Sequence, residues 1–82
     1  MLRATKYMDL TSSVLGLGAR ILFHLRDTKV LPLPELFERI VGEVGPSARY
    51  NFSHAASFLF LVGRLEYDER QDIVRLLEPE VN

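Results

Sequence analysis

The residues able to do chemistry are few: two histidines, five serines and a run of acids near the C-terminal end. His24 and His54 fall in separate segments, with no metal-ligand spacing around either and no HExxH pattern. Each reads as a surface or edge histidine. The serines form no GxSxG nucleophile motif, and Gly16-Leu17-Gly18 lies inside a helical pattern rather than after a strand, so it is no dinucleotide fingerprint. Glu66, Asp68, Glu69 and Asp72 bring to mind a Mg²⁺ site. Neighbouring residues on a strand point to opposite faces, however, so these carboxylates do not converge. With no cysteine in the chain, thiolate zinc sites, disulfides and thiol nucleophiles are excluded. The expectation is a non-enzymatic protein with no catalytic residue, no metal and no cofactor.

Composition narrows the class further. Eighty-two residues make one domain, and the ten basic and eleven acidic side chains nearly balance. A free-standing DNA-binding module carries a basic excess, which is lacking here. The N-terminus has no secretory apolar core, and no uncharged apolar run nears the roughly 18 residues of a membrane span. A cytoplasmic protein with no membrane contact is expected.

The elements that would position a binding surface follow from periodicity. Residues 1–10 show none and read as an N-terminal arm, with Tyr7 and Leu10 able to dock on the domain. Thr11, Ser12 and Ser13 offer N-caps, and Val14, Leu17, Gly18, Ile21, Leu22 and Leu25 keep helical spacing, so a first helix is expected over about 13–27. Gly16 and Gly18 inside it suggest close approach of a neighbouring backbone. Val30 to Leu33 reads as a short extended segment. Pro34 then suits the first turn of a second helix over about 34–44, which Gly45 and Pro46 terminate. The third helix follows, capped by Ser47 or by Asn51. Phe52, Ala55, Ala56, Leu59, Val62 and Gly63 form its inward cluster, with Phe58 and Phe60 flanking it. Leu65–Asp68 and Ile73–Leu77, separated by Glu69-Arg70-Gln71-Asp72, read as a hairpin with Tyr67 facing the core. The fold class is therefore mainly α with a small β-hairpin, a winged helix-turn-helix over residues 11–78, followed by a frayed tail at 79–82.

A winged helix can meet DNA or protein. A DNA reader aims Arg, Lys, Asn or Gln from its third helix at base edges. Between Ser47 and Arg64 the cations are Arg49 and Arg64, one at each end, and the outward face carries Tyr50, Ser53, His54, Ser57 and Leu61. From Leu65 to Asn82, six acids and two bases give a net charge of −4, which repels phosphate. Residues 1–30 carry a net of +3, so DNA contact would be weak or indirect and would come from this basic N-terminal third. The residues point to protein binding through Tyr50, Ser53, His54, Ser57 and Leu61 together with the wing acids Asp68, Glu69 and Asp72. Phe23 and Arg20 mark a second interface. The alternative is a winged-helix DNA-binding transcriptional regulator.

Four segments, KYMDL (6–10), SSVLGLGARIL (12–22), KVLPLPELFERI (29–40) and YNFSHAASFLFLVGRLEYDERQD (50–72), together resemble the small middle components of ABC-three-component systems, bacterial anti-phage loci of the Lamassu type. The part that carries most of the likeness is NFSHAASFLFLVGRLEY with the charged turn and Asp72. The resemblance implies an antiviral-defence adaptor subunit of winged-helix form. Its implied partners are an ABC ATPase like the structural-maintenance-of-chromosomes and Rad50 proteins (an SMC/Rad50-like ATPase) and an effector protein such as a nuclease. It implies no catalytic residues.

Overall fold

The computed structural model describes residues 13–78. The arm at 1–10, with Tyr7 and Leu10, and the tail at 79–82 lie outside the described residues. In chain order the elements are α1 (Val14–Thr28), β1 (Val30–Pro32), α2 (Leu33–Val44), α3 (Ala48–Leu61), β2 (Leu65–Asp68) and β3 (Ile73–Leu76). The strands form one antiparallel sheet in the order β1-β3-β2. This arrangement is consistent with a winged helix, with the β2–β3 hairpin in the wing's place.

Most of the helix boundaries have a chemical cause. The hydroxyl of Ser13 accepts from the Gly16 backbone N–H at 3.2 Å, satisfying one free donor at the start of α1. Lys29 closes that helix in the left-handed region, at φ 68°, and its N–H donates to the Leu25 carbonyl. Pro34 lies in the first turn of α2, where a missing N–H does no harm. Gly45, at φ 111°, ends α2, and Pro46 blocks its continuation. At the end of α3 the Arg64 N–H donates to the Leu59 carbonyl and the Gly63 N–H to the Phe60 carbonyl. That pair is a Schellman motif, and it needs the left-handed backbone of Gly63, at φ 78°. Ser47 begins α3, but its side chain makes no capping hydrogen bond.

The core draws on every element. Leu17, Ile21 and Leu25 from α1 meet Leu36 and Ile40 from α2, with Phe52, Ala55, Ala56 and Leu59 from α3. Leu31, Leu65 and Val74 close it from the sheet. The register pairs Leu31 with Val74 and Leu65 with Leu76, so the inward residues of all three strands face the helices. Outside this core, Glu43 of α2 is joined to α1. Its Oε1 lies 3.0 Å from Arg20 Nη1 and 3.0 Å from His24 Nε2. The His24 nitrogen is buried, and its approach to Glu43 is not aligned as a hydrogen bond.

Three expectations change. Val62 and Gly63 do not face inward: α3 ends at Leu61, so both leave the helical register and are exposed, Val62 at 52%. Tyr67 does not reach the core. It is on the core side of β2 but lines an open hollow between α2 and α3, and it remains 40% exposed. At Gly18 no backbone approaches closely; a Cβ there would sit 3.9 Å from Leu59 Cδ1, an ordinary contact with a side chain.

Gly18→Ala should therefore stabilise the protein by about 0.5–1 kcal/mol in urea denaturation, because alanine lowers the helix's conformational cost without a clash. The acid limb offers a second test. Contact with His24 first, and with Arg20 after it, holds the Glu43 carboxyl below its ordinary 4.5, against the opposing effect of partial burial. A carboxylate whose folded value is depressed adds stability that is full above the unfolded value and is lost as pH falls through the folded one. Glu43→Gln should thus be less stable than the wild type at neutral pH, and the two melting curves should converge as the pH falls below 4.5.

Candidate protein-binding surfaces

Helix α3 is buried along one side and free along the other. Tyr50, His54 and Leu61 stand on its outward ridge, with Leu61 86% exposed. Ser53 and Ser57 are exposed as well, but they turn toward one flank, where they line an apolar groove of about 490 Å³. Leu33, Pro34 and Phe37 of α2 form its other wall, Phe52, Ala56 and Phe60 complete the α3 side, and Tyr67 closes the end at β2. Phe37 and Phe52 meet edge-to-face with ring centroids 5.0 Å apart, and this stack fixes the floor. The Arg49 guanidinium lies 5.5 Å above the Phe37 ring and places a positive charge at the end away from the sheet.

The opposite end is acidic. Leu33, which opens the α2 wall, donates its N–H to the Asp72 carbonyl, so this end of the groove adjoins the β2–β3 turn. Tyr67 donates its hydroxyl to Asp72 Oδ1 at 2.6 Å. Asp68 accepts backbone N–H groups of Arg70 and Gln71, which folds the turn. Asp72 itself has a left-handed backbone, at φ 57°, a conformation Asp tolerates better than most residues. Glu66 is paired with Arg75 across the sheet at 2.7 Å, whereas among the described residues no cation lies within ion-pair distance of Asp68, Glu69 or Asp72. Acceptance by Asp72, with burial and the neighbouring acids adding to it, raises the Tyr67 hydroxyl above its ordinary 10.0.

A second apolar groove, of about 290 Å³, runs on the other flank of α3. Val14, Leu15, Gly18, Ala19 and Leu22 of α1 face Phe58 and Leu59 of α3 across it, and Arg64 stands at its edge. Leu15 and Phe58 are exposed there. The expected second interface at Phe23 and Arg20 divides in two. Phe23 is exposed, with the Arg26 guanidinium 4.9 Å above its ring. Arg20 is engaged with Glu43 and serves the α1–α2 contact.

The eight α3 and wing positions singled out from the sequence thus reach the surface on and beside α3. Ser53 and Ser57 come together in the first groove, and Asp72 joins it through Tyr67. What the sequence reading missed is the grooves themselves. Phe60, placed at the margin of the inward face, and Leu15, off the α1 stripe, were the available signals. Among the described residues no group of three or more His, Asp or Glu side chains is placed to hold a metal ion, and no helix is long and apolar enough to cross a membrane.

A family model described as ABC-three component (ABC-3C) system Middle Component 8 matches residues 29–77, more than half of the chain. The chain belongs to this family. A middle component is one part of a multi-component system, so family membership implies partner proteins. The matched span runs from the end of α1 through β3 and contains every residue of the α2–α3 groove; the α1 wall of the second groove precedes it. No curated protein and no solved structure matches the chain.

The Tyr67–Asp72 contact can be checked directly. Asp72→Asn keeps a residue suited to the left-handed backbone and removes the carboxylate. The Tyr67 hydroxyl should then titrate at lower pH, nearer the ordinary tyrosine value, as read from tyrosine ring resonances in NMR.

Proposed function

We propose that this middle component is a non-enzymatic adaptor that joins an SMC/Rad50-like ABC ATPase to an effector protein, such as a nuclease, in an anti-phage defence complex. The observation that carries the proposal is the pair of apolar grooves on opposite flanks of one helix. A subunit that bridges two proteins needs two separate faces, and α3 contributes a wall to each. The surface chemistry favours protein over nucleic acid. The ridge offers Tyr50, His54 and Leu61, and the neighbouring turn offers Asp68, Glu69 and Asp72, none of them ion-paired among the described residues and outnumbering the turn's one cation, Arg70, so that the turn would repel a phosphate backbone. In this reading the α3 face and the turn acids form one partner surface, and Leu15, Phe58 and the exposed Phe23 belong to the other.

The test is a bridging measurement. With the ATPase and effector of the same locus co-expressed, purification through a tagged ATPase should recover the effector when the wild-type chain is present and lose it when the chain is omitted. Leu61→Asp combined with Glu69→Lys, both at exposed positions, should reduce recovery about tenfold, a loss of roughly 1.4 kcal/mol of binding. Equal recovery of the effector without the chain would sink the adaptor reading.

A further inference from the structure

We infer that the groove between α2 and α3 is a receptor for a short partner segment that carries apolar anchors and is basic at one end, the end that lies against the β2–β3 turn. The inference rests on the adaptor reading and deepens it by stating the chemistry of one partner. Three observations lead to it.

The lining excludes most other ligands. Ser53, Ser57 and Tyr67 supply the polar side chains, and the remaining lining is aliphatic or aromatic. A small polar metabolite needs several converging polar groups to fix its orientation, and these hydroxyls sit at the rim rather than around a pocket. The groove is open to solvent and about 490 Å³ in size, which suits more than one large apolar side chain projecting from a partner that stays outside. Helix-in-groove recognition works in this way, with anchors one turn apart on one face.

The charges give the occupant a direction. At one end Arg49 is stacked over Phe37. At the other, Tyr67 is tied to Asp72, and Asp68, Glu69 and Asp72 lack cation partners among the described residues. A segment with lysine or arginine at one end finds its counter-charges at the turn, while its other end, neutral or acidic, meets Arg49. The reverse orientation sets the basic end against Arg49 and leaves the turn acids without a counter-charge. Such complementarity sets register and specificity more than raw affinity.

The anchoring site is already built. The Phe37–Phe52 stack and the bond from Tyr67 to Asp72 hold both ends in place without a ligand. Little ordering is left to accompany binding, which favours a short segment over a large interface.

The experiment uses the full chain and two synthetic amphipathic peptides. Each has leucines one helical turn apart; one ends in three lysines and the other in three glutamates. Titration followed by NMR should move the resonances of Ser53, Ser57, Phe60 and Tyr67. The lysine peptide should bind at least fivefold more tightly at low salt, and the difference should shrink at high salt. Glu69→Lys should remove most of that preference, and Ser57→Trp, which fills the groove from an exposed position, should weaken both peptides tenfold or more. Equal affinities, shifts that map outside the groove, or shifts explained by self-association in sedimentation would each overturn the inference.

The adaptor reading is judged separately by effector recovery. Intact bridging with no peptide preference removes the groove's assigned occupant and leaves the adaptor standing; selective peptide binding with no bridging does the opposite. In the bridging assay itself, Ser57→Trp should release one of the two proteins and keep the other.

Discussion

The structure depends on the central position of β3. This four-residue strand pairs with β1 on one side and with β2 on the other, and it is the one strand in contact with both neighbours. Two further backbone hydrogen bonds extend its hold. The Leu76 N–H donates to the Lys29 carbonyl at the end of α1, and the Leu33 N–H donates to the Asp72 carbonyl at the start of α2. The last strand thereby fixes the chain at both ends of the connection between the first two helices. Val74, fully enclosed in the middle of β3, seals the sheet side of the core. An isolated hairpin is only marginally stable. Here the third strand and the helices make the hairpin part of the domain, so that Asp68, Glu69 and Asp72 are held beside α3 instead of swinging from it.

Much of this was legible in the sequence because local chemistry decides it. The stripe Leu17, Ile21 and Leu25 announced α1, Gly45-Pro46 announced the break before α3, and the polar run 69–72 announced the turn. Each depends on a few adjacent residues, and the element boundaries agree with the periodicity to within one or two positions. The family, too, could be named from four segments of the sequence, above all the residues running from α3 through the charged turn. Long-range placement was not legible. Tyr67 obeys the strand alternation and points to the core side of β2, but whether that position is covered depends on how far α2 and α3 extend over the sheet. Val62 follows the helical pattern in sequence and leaves it in space because Gly63 reverses the chain one residue later. The grooves belong to the same category. They are gaps between elements, set by the packing of Phe37 on Phe52 and of Gly18 beside Leu59, and no single segment carries their signature.

The outer surface of α3 differs in chemistry from that of a DNA reader. The third helix of a DNA-binding winged helix offers charged and amide side chains to a groove of bases. Here the same position presents a tyrosine, a histidine and a leucine along the ridge, with apolar hollows to either side. The two cations of the segment serve the ends. Arg49 rests on Phe37, and Arg64 edges the second groove while its carbonyl accepts from the Leu77 N–H. Neither stands in the middle of the outward ridge, where a DNA reader aims its base contacts.

The sharing of α3 between two grooves also sets a length. A helix with its side chains is roughly 10–12 Å across. Two proteins seated on opposite flanks would be kept apart by no more than the thickness of this one element, somewhat more than the Debye length of roughly 8 Å at physiological ionic strength. At that separation salt would screen most of each surface's charge from the other, and the screening would weaken as ionic strength falls. The domain would then act less as a tether between distant bodies than as a thin gasket, setting how closely two charged surfaces can approach.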